Sequence, residues 1–416
     1  MTKPLGLRKD ETIRSIAAKG QGYFLLIVLI SVVPAFLEGF DTNLFQFGAP
    51  YIVSHIHAPT AMLGVMATGY AVGIALFSIV GGFLFDKFSV KYTVLLSIAI
   101  FAVFTLLSGL ANSTALLIIA RLLVGVGVGM FQPAIIAFLG DIFPNTRGRA
   151  VSAFAVFFGG GVFVGPYLIT PFLPHFQIPF VISFIVSVLS LLAFYLFIPK
   201  TYEKIEKHKI GMKGVMNRNV AVLSISIFFF GITLFGFLGY YSDYLLKGLS
   251  ISSGLAASIA SMGGLGGFIC AFPIGLLADK VGRRHIVKLA ALLILIGSVG
   301  MFTVGSSSIA LFILTFAFGA GWGMFVDLIA TLAQDSVEEN VAGTATGLIF
   351  LVFNVGAILG GPVFAALLPL GFVKAGLVTL GVSSLLSFVL TFLLRKETIV
   401  AVATVTMSQP VEQGNS

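Results

Sequence analysis

The sequence predicts an all-α integral membrane protein of twelve transmembrane helices, arranged as two pseudo-symmetric six-helix bundles. Three observations carry that reading: an apolar composition, a regular series of long apolar runs, and a charged turn that occurs twice. Hydrophobic residues make up 58% of the 416-residue chain and charged residues 10%, against about a quarter charged in soluble domains. No water-soluble fold could hide so much apolar surface. The charged turn is Gly275-Leu276-Leu277-Ala278-Asp279-Lys280-Val281-Gly282-Arg283-Arg284. A weaker copy, Gly82-Phe83-Leu84-Phe85-Asp86-Lys87-Phe88-Ser89-Val90-Lys91, lies 193 residues upstream.

A spanning helix needs about 20 mostly apolar residues. By that rule the first six spans fall at 23–47, 61–85, 92–111, 114–138, 150–173 and 179–198. The second six fall at 220–246, 253–278, 286–304, 308–333, 342–369 and 374–394. Twelve spans put both termini on one side. The first is not a cleavable signal, being too long and carrying Glu38 and Asp41. The chain divides into an N-terminal arm at 1–22, a six-helix bundle at 23–199, a central loop at 200–219, a second bundle at 220–396 and a tail at 397–416. The tail is expected to be disordered.

The formal charge of +8 could suggest nucleic acid, but the placement of the charges argues against it. Of 24 Lys and Arg, 21 fall on the terminal side of the membrane, with only Lys247 and Lys374 opposite and Arg121 inside a span. This bias predicts cytoplasmic termini by the positive-inside rule. The basic residues then face anionic lipid. The single cysteine, Cys270, excludes a disulfide framework and a cysteine metal site. No phosphate-binding loop of the Gly-x4-Gly-Lys-Ser/Thr kind occurs, which disfavours an ATP-driven pump. A duplicated membrane bundle with these features points to a secondary transporter and not an enzyme.

Charges inside the bilayer carry the most information, since each costs about 2.5–3.5 kcal/mol even on modest insertion scales. They are Glu38 and Asp41 in span one, Arg121 in span four and Asp327 in span ten, with Asp243 nearer the end of span seven. At about 1.5 Å per residue, Glu38, Asp41 and Arg121 share one level in the outer half of the membrane. Asp327 falls toward the cytoplasmic end of its helix. Glu38 is expected to be the resting partner of Arg121, leaving Asp41, helped by Glu38, to carry a coupling proton. A static ion pair that only sets helix register is the plain alternative.

Two six-helix halves, the repeated turn and a long central loop resemble the major facilitator superfamily over residues 20–396. The second turn matches the superfamily pattern throughout. The first departs from it at Ser89 and Val90. Span four reads Arg121-Leu122-Leu123-Val124-Gly125-Val126-Gly127-Val128-Gly129 and runs into Gly140-Asp141-Ile142-Phe143-Pro144-Asn145-Thr146-Arg147-Gly148-Arg149, both typical of the superfamily. The second-half echo, Gln334-Asp335, lacks the arginines. What the resemblance implies is conformational gating by Gly82, Asp86, Lys87, Lys91, Asp141, Arg147, Arg149, Gly275, Asp279, Lys280, Gly282, Arg283 and Arg284. Glycines spaced along the helices, such as Gly125, Gly127, Gly129, Gly264 and Gly266, suit tight helix contacts in lipid.

Glu38-Gly39-Phe40-Asp41, followed by Ala49-Pro50, is similar to the first helix of the aromatic acid/proton symporter family. Glutamate stands here where that family has aspartate; related carboxylate and sugar transporters share such starts. The resemblance implies proton-coupled symport of a small organic acid, with aromatic acids included, driven by a proton gradient without cofactor or metal. An organic anion would need Arg121. A sugar would use amides and aromatics: Gln46, Gln132, Tyr240, Tyr241, Trp322 and Asn354. Sugar/proton symport is therefore an alternative. Drug/proton antiport is another, from Gly161-Val162-Phe163-Val164-Gly165-Pro166, and a non-transporting sensor ranks below both. The expected partners are a small-molecule substrate, protons and membrane lipid, with the chain working as a monomer in the plasma membrane.

Overall fold

The computed structural model describes residues 7–8, 21–88, 90–142, 147–173, 175–198, 201–202, 214–338 and 341–395. In the first half these residues form α1 (Gln21–His55), α2 (Met62–Phe88), α3 (Val90–Gly109), α4 (Thr114–Ile142), α5 (Arg147–Ile169) and α6 (Gln177–Phe197). The second half has α7 (Arg218–Asp243), α8 (Ser253–Val281), α9 (Arg283–Thr303), α10 (Ser308–Asp335), α11 (Ala342–Leu367) and α12 (Phe372–Thr391). Each expected span is a helix. Several helices outrun their apolar runs, α1 to His55 and α4 to Ile142. Hydropathy marks what must sit in hydrocarbon, whereas a helix goes on satisfying its backbone past the lipid boundary. Most of the N-terminal arm, the central loop and the tail lie outside the described residues. A two-residue parallel pairing, β1 (Leu7–Arg8) with β2 (Thr201–Tyr202), ties arm to loop.

Local chemistry explains the breaks. Asn217 caps α7, its Oδ1 accepting from the Val220 N–H at 3.0 Å. Gly282 joins α8 to α9 at φ +100°, a conformation that favours glycine. Pro34 and Pro50 sit inside α1 without ending it, as spanning helices allow when neighbours cover the freed carbonyls.

The halves repeat one packing plan. In the first, α1 packs on α5, α2 on α4, and α3 on α4 and α6; in the second, α7 packs on α11, α8 on α10, and α9 on α10 and α12. Between the halves α5 meets α8 and α2 meets α11, with α7 against α1 and α2. Glycine permits the closest of these approaches. Gly64 and Gly361 bring α2 and α11 into backbone contact, and Gly264 of α8 lies on the backbone of Phe163 in α5. The outer surface is apolar, with Leu196 70% and Ile309 76% exposed, a surface suited to lipid.

Candidate functional site

Glu38, Asp41, Thr42, Phe45 and Gln46 recur at helical spacing and form one stripe along α1. All five are buried. The stripe faces protein and not lipid because a charge in hydrocarbon is expensive. Arg121, on the third turn of α4, reaches it. Its Nη1 lies 3.1 Å from Asp41 Oδ2, and the Thr105 hydroxyl of α3 donates to Asp41 Oδ1 at 2.8 Å. The guanidinium also lies 3.9 Å from the Phe45 ring centre and 4.9 Å from that of Tyr70. Arginine stays charged at any accessible pH, so Asp41 is its counter-charge and the two rings hold its plane.

Glu38 is not the partner of Arg121. It accepts from Gln132 Nε2 at 2.5 Å through Oε1, and its Oε2 has no partner among the described residues. One helical turn separates Glu38 from Asp41, finer than a depth estimate from helix rise can resolve. The two acids therefore differ in kind: one faces a cation, the other a neutral amide.

Beside the pair is a cavity of about 30 Å³, room for about one water molecule. Thr42, Phe45, Gln46, Tyr70 and Arg121 line it from the first half, and Phe235, Leu238 and Gly239 of α7 from the second. A substrate fits only when the halves part. Of the residues expected to bind substrate, Arg121 and Gln46 line this cavity. Gln132 is taken by Glu38. Tyr241 is enclosed within the second half, its hydroxyl 2.5 Å from that of Thr315, because its angular position on α7 turns it from the first half toward α10. Tyr240 belongs to the interface between halves. Asn354 donates to Phe350 O of its own helix at 2.8 Å, and Trp322 is half-buried on α10. Asp327 is exposed on α10 and outside this cavity. Thr105, Phe45 and Tyr70 were not candidates from the sequence. The available signal was Phe45, one turn after Asp41 on the same face.

The face of the membrane opposite the termini is closed. Tyr240 Oη accepts from Gly64 N at 2.9 Å and donates to Ala61 O at 3.1 Å. Thr68 donates to Ile358 O at 3.0 Å. Lys247, paired with buried Asp243 at 2.8 Å, reaches Thr60 at 3.5 Å. Among the described residues, the hydrogen bonds between halves lie on this face or near the midplane.

A family profile described as Major Facilitator Superfamily matches residues 33–361 and 223–406. The chain belongs to the major facilitator superfamily. Among curated proteins it is similar to a hexuronate transporter of Bacillus subtilis, 22% identical over 81% of this chain and 86% of that protein. It is also similar to the uncharacterized MFS-type transporter YfkF of Bacillus subtilis, 26% identical over 81% and 86% respectively. Among solved structures it resembles a D-xylose-proton symporter, with TM-score 0.75, 16% identity, and coverage of 90% of this chain and 98% of that one. A nucleoside transporter gives TM-score 0.73 at 13% identity over 88% and 100%. At such identities these two structures speak for the fold alone.

As a major facilitator transporter the chain is not an enzyme, and its charged turns fall at helix ends. Arg283, at the start of α9, forms an ion pair at 2.5 Å with Asp335 at the end of α10, which joins the complete turn to its degenerate echo. Gln334 Nε2 donates to Thr346 at 2.7 Å, adding α11. Lys91 is buried and donates to Tyr195 O and Ile198 O at 2.5 and 2.6 Å. It caps α6 inside the first half, a contact that does not span the halves. Lys280 is exposed and Arg284 half-buried. The surroundings of Gly82, Asp86, Lys87, Asp141, Arg147, Arg149, Gly275 and Asp279 lie outside the described residues.

Proposed function

We propose that the chain is a proton-coupled symporter of a small organic acid. It would work by alternating access in the plasma membrane, with both termini cytoplasmic as the Lys and Arg bias favours. The observation that carries this reading is Arg121: a buried guanidinium between two rings, bonded to Asp41, with its Nε unpaired among the described residues and a cavity between the halves beside it. A planar fork of donors suits a carboxylate.

Coupling follows from competition. At rest Asp41 neutralises Arg121. An arriving carboxylate takes the guanidinium, and Asp41, left without its counter-charge in a dry site, binds a proton. Each ligand then favours the other, which is the thermodynamic content of symport. Glu38, whose hydrogen-bond partner among the described residues is the Gln132 amide, is a second carboxyl able to hold a proton. A sugar acid fits as well, since the relative named a hexuronate transporter acts on molecules that carry a carboxylate. Gly161 and Gly165, the glycines of the span-five motif, pack α5 on α1.

The test is uptake of labelled carboxylates into proteoliposomes under an imposed pH gradient. Accumulation with acid outside, abolished by a protonophore, supports the reading. Carboxylate uptake indifferent to the gradient would refute proton coupling, and none at all would refute the substrate class.

A further inference from the structure

Among the residues lining the Arg121 cavity, two buried polar atoms have no partner within the described residues: Arg121 Nε and Gln46 Oε1. Both residues are almost wholly enclosed, at 2% and 4% exposure. The orientation of the Gln46 amide follows from its other contact. Nε2 lies 3.3 Å from the backbone oxygen of Phe237, which can only accept a hydrogen bond, so the free end of the amide is the oxygen. The cavity wall thus offers one cationic donor and one neutral acceptor without partners among the described residues; the Thr42 and Tyr70 hydroxyls beside them lie 3.5 Å from each other, and the rest of the lining is apolar.

A simple carboxylate would satisfy the donor and leave the acceptor bare. An enclosed acceptor without a donor is costly. We propose that Gln46 makes this site selective for hydroxy-carboxylates, with the carboxylate on Arg121 and a substrate hydroxyl donating to Gln46 Oε1. This rests on the carboxylate reading of Arg121 and adds what the rest of the molecule must carry. The position of Gln46 also ties selection to conformation. Its donor end is held by α7 of the second half, so the acceptor is presented while the face opposite the termini is shut.

The experiment is binding to the purified full-length protein, by titration calorimetry, of acids that differ by one hydroxyl: benzoate against its three monohydroxy derivatives, and propionate against lactate. The wild type should bind at least one hydroxylated member about tenfold more tightly than its parent, the worth of about one hydrogen bond. In Gln46→Met that ratio should fall to about one. Equal affinities within every pair in the wild type, a measurement needing no variant, would overturn the proposal, as would a ratio that persists in Gln46→Met. Equal affinities that still depend on Arg121, shown by Arg121→Ala, would leave the carboxylate reading standing. Binding of no acid, or binding indifferent to Arg121→Ala, would overturn both.

Discussion

Gly73 of α2 lies on Leu122 and Val126 of α4, and Gly266 of α8 lies in the same manner on Phe316 and Ala320 of α10. Arg121 in the first half therefore stands where Thr315 stands in the second. Likewise Gly39 meets Phe158 and Val162, and Gly231 meets Phe353 and Ala357. That matches Asp41 to Thr233 and Glu38 to Phe230. The second half fills the equivalent places with neutral groups, all fully buried. Thr315 bonds to Tyr241, Thr233 donates to Phe229 O of its own helix at 3.1 Å, and Phe230 packs on Phe325 at 5.1 Å. The same helix-packing plan is thus built with and without the charges. Helix packing does not require the ion pair, which argues that the first half keeps it for binding and proton chemistry. The second half supplies Phe235 to the cavity wall and Tyr240 to the closed face.

This asymmetry can be broken most severely at its cation. Arg121→Ala should leave Asp41 buried and uncompensated, destabilising the protein by about 3–5 kcal/mol and weakening carboxylate binding about 100-fold or more. Thermal unfolding and titration of the purified variant measure both. The double variant Asp41→Thr, Arg121→Thr copies the second half into the first. Removing both partners of a buried pair is often neutral, so its stability should return to within about 1 kcal/mol of wild type, with transport still absent. A double variant as unstable as Arg121→Ala would mean that the first half needs its ion pair to fold.

A smaller effect is expected at the closed face. Tyr240→Phe removes the hydrogen bonds to Gly64 of α2 and to Ala61 just before it, worth about 1–2 kcal/mol together. It should raise the labelling rate of a cysteine at Leu238, in a Cys270→Ser background, by about fivefold or more from the face opposite the termini. An unchanged rate would assign closure to the Gly64–Gly361 contact instead. The smallest effect is expected at Arg283–Asp335, whose side chains are about one-third exposed. Arg283→Gln should cost less than about 1 kcal/mol, and the difference should vanish in high salt. A larger, salt-insensitive loss would mean that the pair works as part of a buried network.

The twelve helices were legible because bilayer thickness imposes a length on every span and leaves few ways to arrange them. The site was legible where charge marks it: Glu38, Asp41 and Arg121 stand out in an apolar background. Their pairing was not, since choosing between acids one turn apart requires the rotation of α1 against α4. Thr105, Phe45 and Tyr70 escaped notice because neutral residues in a membrane helix read as filler until a charge is seen beside them. Tyr241 misled for the converse reason, as a polar aromatic near the end of α7 whose direction only packing reveals. One signal went unread. Gly319-Ala320-Gly321-Trp322-Gly323 repeats the spacing of Gly125, Gly127 and Gly129, which already aligns Arg121 with Thr315.

The central claim is that Asp41 and Arg121 link anion binding to proton binding. Its most direct test is the transport of a carboxylate, shown to bind the wild type, by Asp41→Asn in proteoliposomes. The wild type should accumulate it against its gradient when the outside is acidic. Asp41→Asn, which keeps the size and polarity of the side chain without the titratable proton, should exchange the anion between the two sides with no accumulation. Wild-type accumulation by Asp41→Asn would contradict the account and move the coupling proton to Glu38.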